Sequence, residues 1–571
     1  MARSIRATTG ADVNGAEVIC NVLRELGAGV VFGLPGTQNA ALYDALGHAG
    51  LRCVVASDEG AAAFMASGYA RARGDVAVLT TIPGPGFVYA LAGVIEARQD
   101  SVPLLWLTQR QPDDGQAFPL QRIDQPALAR EAVKRSGFLS DPGGLAEGLR
   151  AAWASAREGE PGPVLVEIAA PLLLQPAETS APRQERRELP DLAPVLARLQ
   201  SARRPLIYAG QGAQSAASDV RALARRWRAP VLFTSSGRGV LADDDPLAFV
   251  RDFSFGIGDV VPTMIAHADL VLALGCKFTH NGSAAGRLQL PREKLVRVDT
   301  SAEVLSANYP ASVSVCTRTE DLLAHAEALG ASAWTDEALE QWRARLRAES
   351  AAPIEHEPVI AAPEGASLRS VFLALRRALG DNVIYTTDAG LHQAVARRYA
   401  VVTQPRGLLC PSDFQSMGFG LPAAIGTALA RPEATVVACV GDGALMLTLG
   451  DLLTAVREGV NLIVVVFNDG SYGLIRRQQL VNFGHSSGTT LLNPDYEALA
   501  AAVGCAYFDL AAGVDECVAA AAKATGVRLL EIRLQDSGSL ARTALASRAR
   551  EASRRLLPDS FWKLLRRALR R

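Results

Sequence analysis

Val436-Val437-Ala438-Cys439-Val440-Gly441-Asp442-Gly443 is an apolar run that ends on a Gly-Asp-Gly turn. Leu462-Ile463-Val464-Val465-Val466-Phe467-Asn468-Asp469-Gly470 repeats the pattern one helical stretch later. Apolar strands separated by helices predict a parallel sheet. Neighbouring strands of that kind set Asp442 and Asn468 side by side at their carboxyl ends, where open α/β sheets bind ligands. A carboxylate, an amide oxygen and a nearby backbone carbonyl form an oxygen-only site that suits Mg2+ with phosphate oxygens in its remaining positions. A helix starting near Ala444 aims free N–H groups at the same phosphates. Each turn read alone is an ordinary turn signal. The two turns at the ends of two such strands mark a metal and phosphate site.

Working outward, the 571 residues are enough for about three to four domains, and 49% of them are apolar, enough for a sizeable core. The net charge of -1 argues against nucleic acid as a partner. No apolar run reaches the roughly 20 residues of a membrane span, and Met1–Asn14 lacks a signal-peptide core. The eight cysteines have no paired spacing and read as free thiols of a cytoplasmic protein.

Three blocks alternate apolar strands with amphipathic helices. The expected domains are 11–174, 191–330 and 366–536, joined by Pro-containing linkers at 175–190 and 348–364. The fold class is therefore α/β, with three Rossmann-like parallel-sheet domains. Strands are expected near 30–34, 53–56, 76–81, 103–108 and 164–168, then 206–209, 231–234, 270–274 and 295–298, then 383–387, 436–440, 462–467, 506–510 and 529–532. Residues 537–571 form a basic tail, with ten Arg or Lys against Glu551 and Asp559. It reads either as a solvated tail packed on its own subunit or as a surface or partner contact.

Several motifs fall in one order along the chain. They are Val31-Phe32-Gly33-Leu34-Pro35-Gly36, Asp58-Glu59-Gly60 with the Ala-rich run to Arg71, and Gly84-Pro85-Gly86. Thr386-Thr387-Asp388-Ala389-Gly390-Leu391-His392-Gln393, Met417-Gly418-Phe419-Gly420 and the Gly-Asp-Gly segment follow. From about Asp12 to Ile532 the chain resembles the acetolactate synthase-like thiamine diphosphate (ThDP) enzymes. The resemblance implies a pyrimidine-binding, a central and a diphosphate-binding domain, with ThDP and Mg2+ as cofactors.

It also implies roles. Glu59 is matched to the glutamate that hydrogen-bonds N1′ of the aminopyrimidine, so that N4′ removes the thiazolium C2 proton. Read alone, Glu59 is a first-turn residue stabilising a helix dipole. Met417 is matched to the residue that wedges under the cofactor, which brings N4′ against C2; read alone it is a core methionine. Backbone groups near Gln415 are matched to the aminopyrimidine site. Asp442, Asn468 and the carbonyl of Gly470 are matched to the metal ligands. Gly390, His392, Gly441, Gly443 and Ala444 are matched to the diphosphate site, with a satisfied surface histidine as the other reading of His392. Thr37, Gln38 and Gln121 are placed in the substrate pocket. The family places Glu59 of one subunit opposite the metal motif of another, which implies a homodimer or homotetramer.

The chain departs from acetolactate synthases at several points. Phe87 follows Gly84-Pro85-Gly86 where those enzymes carry a small residue, and a ring there is expected to take volume from the pocket. Gln478 stands where they have a tryptophan, and Asp451 replaces a glutamate. Cys276-Lys277-Phe278-Thr279-His280 lacks the arginine and paired aspartates of FAD-binding members, which argues against FAD. The implied activity is decarboxylation of a small 2-oxo acid with carboligation of the resulting enamine to an acceptor carbonyl. The alternatives are a non-oxidative decarboxylase of the benzoylformate decarboxylase type and a non-catalytic partner-binding paralogue.

Overall fold

Three parallel sheets follow one another along the chain. The computed structural model describes residues 13–111, 115, 117, 119–178, 188–250, 253, 257–325, 332–351, 354, 357–362, 366–536, 540, 542, 543, 545 and 546. The basic tail lies almost wholly outside the described residues, as does most of the first expected linker. No described helix is long and apolar enough to cross a membrane.

The first sheet contains β1 (Val30–Gly33), β2 (Arg52–Val55), β3 (Ala77–Thr80), β4 (Leu104–Arg110), β5 (Arg135–Leu139) and β6 (Val164–Ala169), in the order β2-β1-β3-β4-β6-β5. The central sheet contains β7 (Pro205–Ala209), β8 (Val231–Phe233), β9 (Ala248–Phe249), β10 (Leu270–Leu274), β11 (Leu295–Asp299) and β12 (Val313–Cys316), in the order β12-β11-β10-β7-β8-β9. The third contains β13 (Val359–Ile360), β14 (Val383–Thr387), β15 (Leu408–Leu409), β16 (Thr435–Gly441), β17 (Leu462–Asn468), β18 (Ala506–Asp509) and β19 (Val527–Gln535). Its path is β13-β19-β17-β16-β14-β15, with β18 also paired to β19. Only the edge pair β13–β19 is antiparallel among the named strands.

The inner strands are buried on both faces, as in β10 and β14. Helices cover both sides of such sheets, so the strands read as continuous Val/Ile/Leu runs. The strands that carry no apolar run are at edges. Arg135–Leu139 is largely exposed and mixes polar with apolar residues, and nothing in its sequence marks it as a strand.

Two further differences concern the second linker. The helix Asp336–Ala351 occupies its first residues, and β13 adds an edge strand within it. Trp342 and Leu346 of that helix pack with Leu206 and Phe278 of the central core.

The first and third sheets share one hydrophobic core, which runs from Val30 and Phe32 to Val464 and Leu529. The helices Glu59–Arg73 and Gly420–Ala430 join them. A Cβ on Gly68 would lie 2.1 Å from the Ala423 carbonyl oxygen, and one on Gly426 would lie 1.9 Å from that of Met65. Glycine at both positions is what lets the two helices touch backbone to backbone.

Candidate functional site

In the third sheet β16 lies between β14 and β17. The carboxyl ends of these three strands bring Asp388–His392, Gly441–Gly443 and Asn468–Gly470 together. The helix expected from near Ala444 starts earlier, at Asp442. It ends at Leu447, and a second helix runs from Asp451 to Glu458.

Asp442 is 2% exposed. Burial raises its carboxyl above the ordinary range, opposed by hydrogen bonds from Asn493 and nearby backbone amides. Its Oδ1 accepts Gly443 N at 2.9 Å, and its Oδ2 accepts Gly470 N at 2.8 Å and Asn493 Nδ2 at 2.7 Å. The same Asn493 Nδ2 donates to Asn468 Oδ1 at 2.8 Å. Asn468 Nδ2 is held by Glu531 Oε1 at 2.6 Å, which turns Oδ1 toward Asp442. Two hard oxygens thus converge on one small donor, beside a left-handed turn at Gly470 (φ +63). Oxygens converging in this way fit a small divalent cation such as Mg2+ in the place that Asn493 Nδ2 takes here, and Glu531 orients the Asn468 amide from behind.

His392 is 6% exposed, so it is not a surface histidine. Its ring lies against the backbone of both Gly390 and Gly441, 2.7 and 2.9 Å from where their Cβ atoms would be. Its Nε2 is buried with no hydrogen-bond partner among the described residues. Burial lowers its pKa to about 4, so the ring is neutral near pH 7. Tyr472 lies against Gly443, 2.8 Å from where a Cβ would be.

Met417 is 37% exposed at the tip of the loop that precedes the helix Gly420–Ala430. Asp388, 1% exposed, grips this loop. Its Oδ1 accepts Gly418 N at 3.0 Å, and its Oδ2 accepts Gly420 N at 2.6 Å. Burial raises the Asp388 carboxyl to about 6, although three backbone amides oppose the shift. Gln415 is left-handed (φ +63). Its Nε2 folds back onto the carbonyls of Pro411 and Ser412 at 2.6 and 2.8 Å, so its own side chain shapes the loop.

In the first sheet, Glu59 opens the helix Glu59–Arg73 behind its N-cap Asp58, whose side chain accepts Ala61 N at 2.9 Å. Glu59 is 7% exposed, and burial raises its carboxyl above the usual range. Its carboxyl turns back toward its own backbone amide and makes no hydrogen bond or ion pair with any other described residue. A Cβ on Gly86 would stand 2.4 Å from Glu59 Oε1, so glycine there makes room for the carboxyl. A nearly buried carboxyl that no other described residue engages fits a basic heterocyclic nitrogen brought by a ligand.

The pocket expectations divide. Gln38 Nε2 donates to Gln121 Oε1. Gln121 is left-handed (φ +58) and packs against Gly84. Thr37 is exposed on the same turn, which the buried Asn39 braces through Gly36 N and the Leu34 carbonyl. Gln478 is exposed on the helix Gly473–Phe483 beside Leu474 and Ile475.

Phe87 is a correction. It is fully buried and stacks on Trp106, centroids 4.2 Å apart at 14°. The helix Pro85–Gln99 turns residue 87 inward onto the first sheet and leaves Val88 and Tyr89 outside, so the ring takes no volume from a pocket.

Asp451 ties the third sheet's side of the molecule to the turn before Glu59. Its carboxyl accepts Ser57 N at 3.0 Å and Ser57 Oγ at 2.6 Å. Elsewhere, a cavity of about 350 Å³ lies among the three sheets, lined by Gln211, Thr234, Asp299, Arg318 and Arg406 among others. Lys277 at its edge pairs with Glu160 at 2.7 Å.

Sequence reasoning missed Asp388, Asn493 and Glu531 as supports. Asp388 lies inside a motif already singled out. Asn493 reads as a turn before Pro494 and Asp495, and Glu531 reads as one polar residue in an apolar strand.

Residues 13–128 match the family described as thiamine pyrophosphate enzyme, N-terminal TPP binding domain. Residues 192–326 match the central domain of that family, and 388–532 match its C-terminal TPP binding domain. The chain is 30% identical over 498 residues to acetolactate synthase isozyme 1 large subunit of Escherichia coli (strain K12), covering 84% of this chain and 86% of that protein. It is 31% identical over 545 residues to the probable 2-ketoarginine decarboxylase AruI of Pseudomonas aeruginosa, covering 91% and 94%. Acetolactate synthase isozyme 2 large subunit of E. coli (strain K12) is 30% identical over 510 residues, covering 86% and 90%.

Proposed function

Since the chain belongs to the thiamine pyrophosphate enzyme family, we propose that it decarboxylates a small 2-oxo acid and joins the remaining fragment to an acceptor carbonyl. The bound coenzyme supplies the carbon nucleophile and the electron sink. This chain's residues do the rest. Asp442, Asn468 and the Gly470 carbonyl hold Mg2+. Gly390, His392, Gly441, Gly443 and Ala444 receive the diphosphate, with the neutral His392 ring bounding the site. Met417 and the backbone near Gln415 support the aminopyrimidine. Glu59 shares a proton with N1′, and burial, which raises its pKa, favours that sharing. Thr37, Gln38, Gln121 and Gln478 face the acceptor. The observation that carries the reading is the convergence of Asp442 Oδ2 and Asn468 Oδ1 on a single atom.

The site is completed by a second copy of the chain. Gly86 abuts Glu59, and Glu96 binds Ser416 N, the residue before Met417. These two positions lie on one helix, about 15 Å apart at 1.5 Å per residue. Glu59 of one chain is therefore remote from its own Met417, which supports a homodimer as the minimum assembly. The free cysteines support a reducing compartment such as the cytoplasm.

Simple decarboxylation is the second reading, favoured by the length of the match to AruI. Incubation with ThDP, Mg2+ and a panel of 2-oxo acids, with products identified by mass spectrometry, decides between them. Ligated hydroxyketone or hydroxy acid products are expected. Free aldehyde alone supports the second reading, and absence of saturable, Mg2+-dependent ThDP binding refutes both.

A further inference from the structure

Glu96 and Asp100 lie one helical turn apart at the end of the helix Pro85–Gln99, and both are buried, 0% and 5% exposed. Both reach across to the loop that carries Gln415 and Met417. Asp100 Oδ2 accepts Arg71 Nη2 at 2.7 Å and Ser412 N at 3.0 Å. Arg71 Nη1 donates to the Cys410 carbonyl at 2.9 Å. Glu96 Oε2 accepts Ser416 N at 2.9 Å. The amide after Met417, that of Gly418, belongs to Asp388. Met417 is thus suspended between two amides, each held by a buried carboxyl, one from the first sheet's helices and one from the third sheet.

The two carboxyls differ in one respect. Both Asp388 oxygens are engaged, whereas Glu96 Oε1 is buried without a hydrogen-bond partner among the described residues. Asp100 already has Arg71 as counter-ion, so Glu96 is the less compensated member of the pair. We propose that Glu96 is a positioning residue for the coenzyme site, holding Ser416 as a carboxylate and thereby setting Met417 and the Gln415 backbone beneath the aminopyrimidine. The inference rests on the reading of Met417 given above. The charged groups facing Glu96 are Asp100 on its own helix and Arg71 on the helix Glu59–Arg73, and the loop presents Ser416. Burial, then Asp100, push the Glu96 carboxyl up to about 7, with Arg71 opposing. Above that pH the acceptor is charged and its bond to Ser416 N is strong; below it the neutral acid holds the amide less firmly.

The test measures the ThDP dissociation constant at saturating Mg2+ by tryptophan fluorescence between pH 6 and 8.5, for the full-length wild type, Glu96→Gln and Glu96→Ala. Wild-type affinity is expected to weaken about fivefold to tenfold as pH falls through 7. Glu96→Gln keeps an accepting oxygen for Ser416 N, so its affinity stays within threefold of the wild-type value at pH 8.5 and lacks the step near pH 7. The coenzyme's own titration is common to both proteins and cancels in their ratio. Glu96→Ala is expected to lose at least tenfold at every pH. A Glu96→Gln protein that retains the wild-type step, or a Glu96→Ala protein with wild-type affinity, overturns the proposal. Should Glu96→Ala fail to fold, the pH profile of Glu96→Gln decides alone. Failure of the wild type itself to bind ThDP at pH 8.5 strikes the functional reading instead, whereas wild-type binding that Asp442→Ala abolishes upholds that reading and leaves the Glu96 variants to decide the proposal.

Discussion

Truncating Phe87 to alanine tests the inward orientation of that ring. The side chain is fully buried and lies face to face with Trp106, whose Nε1 donates to Thr81 Oγ1 at 3.0 Å. That bond fixes the indole, so Trp106 cannot slide into the space left behind. A buried Phe→Ala change costs about 3–5 kcal/mol, and a ring pair contributes roughly 0.5–1.5 kcal/mol beyond its buried area. The fixed indole argues for the upper half of the range, about 4 kcal/mol. A chain of this size unfolds in steps, so the readout is hydrogen exchange of peptides covering 77–110 in a urea series. With an m-value of about 3 kcal/mol/M, the midpoint for this segment falls by about 1.3 M. The acceptor spectrum stays that of the wild type. A midpoint shifted by less than about 0.3 M, together with acceptance of larger acceptors, refutes the inward orientation.

Glu59→Gln is expected to bind ThDP within threefold of the wild type while C2-proton exchange, followed by NMR, slows by about 10²–10⁴-fold; unchanged exchange removes Glu59 from its role. His392 titrates at about 4 in the folded chain against 6.5 in the unfolded chain. Between those values the unfolded state binds the extra proton, so stability is lost as pH falls from 6.5 toward 4, by about 2 kcal/mol at pH 5. His392→Gln should flatten the acid limb of a thermal-shift profile over that range, and a profile still parallel to the wild type contradicts the buried, neutral ring.

What could be read from the sequence follows from where each signal is local. Leu462–Phe467 is buried on both faces, so its apolar run identifies it without help from the rest of the chain. Arg135–Leu139 pairs only with β6 at an edge, and its side chains carry no such mark. The same distinction holds at the site. Asp442 and Asn468 belong to two turns whose chemistry is written in consecutive residues. Glu96 is a lone acid in an apolar helix, and its meaning depends on Ser416, 320 positions away. Phe87 failed for a related reason: its neighbours in sequence suggest a cleft, but the phase of its helix, set by the turn at Gly84-Pro85, is a three-dimensional property.

The core shared by the first and third sheets has a consequence for synthesis. The Ala-rich face of the helix Glu59–Arg73 packs against the helix Gly420–Ala430, which leaves the ribosome some 350 residues later. Until then that face has no cover, and a nascent or prematurely ended chain presents a smooth, small-residue surface to whatever is nearby. Fragments that stop within the central domain are therefore expected to leave this face bare, a consequence of the order in which the helices emerge.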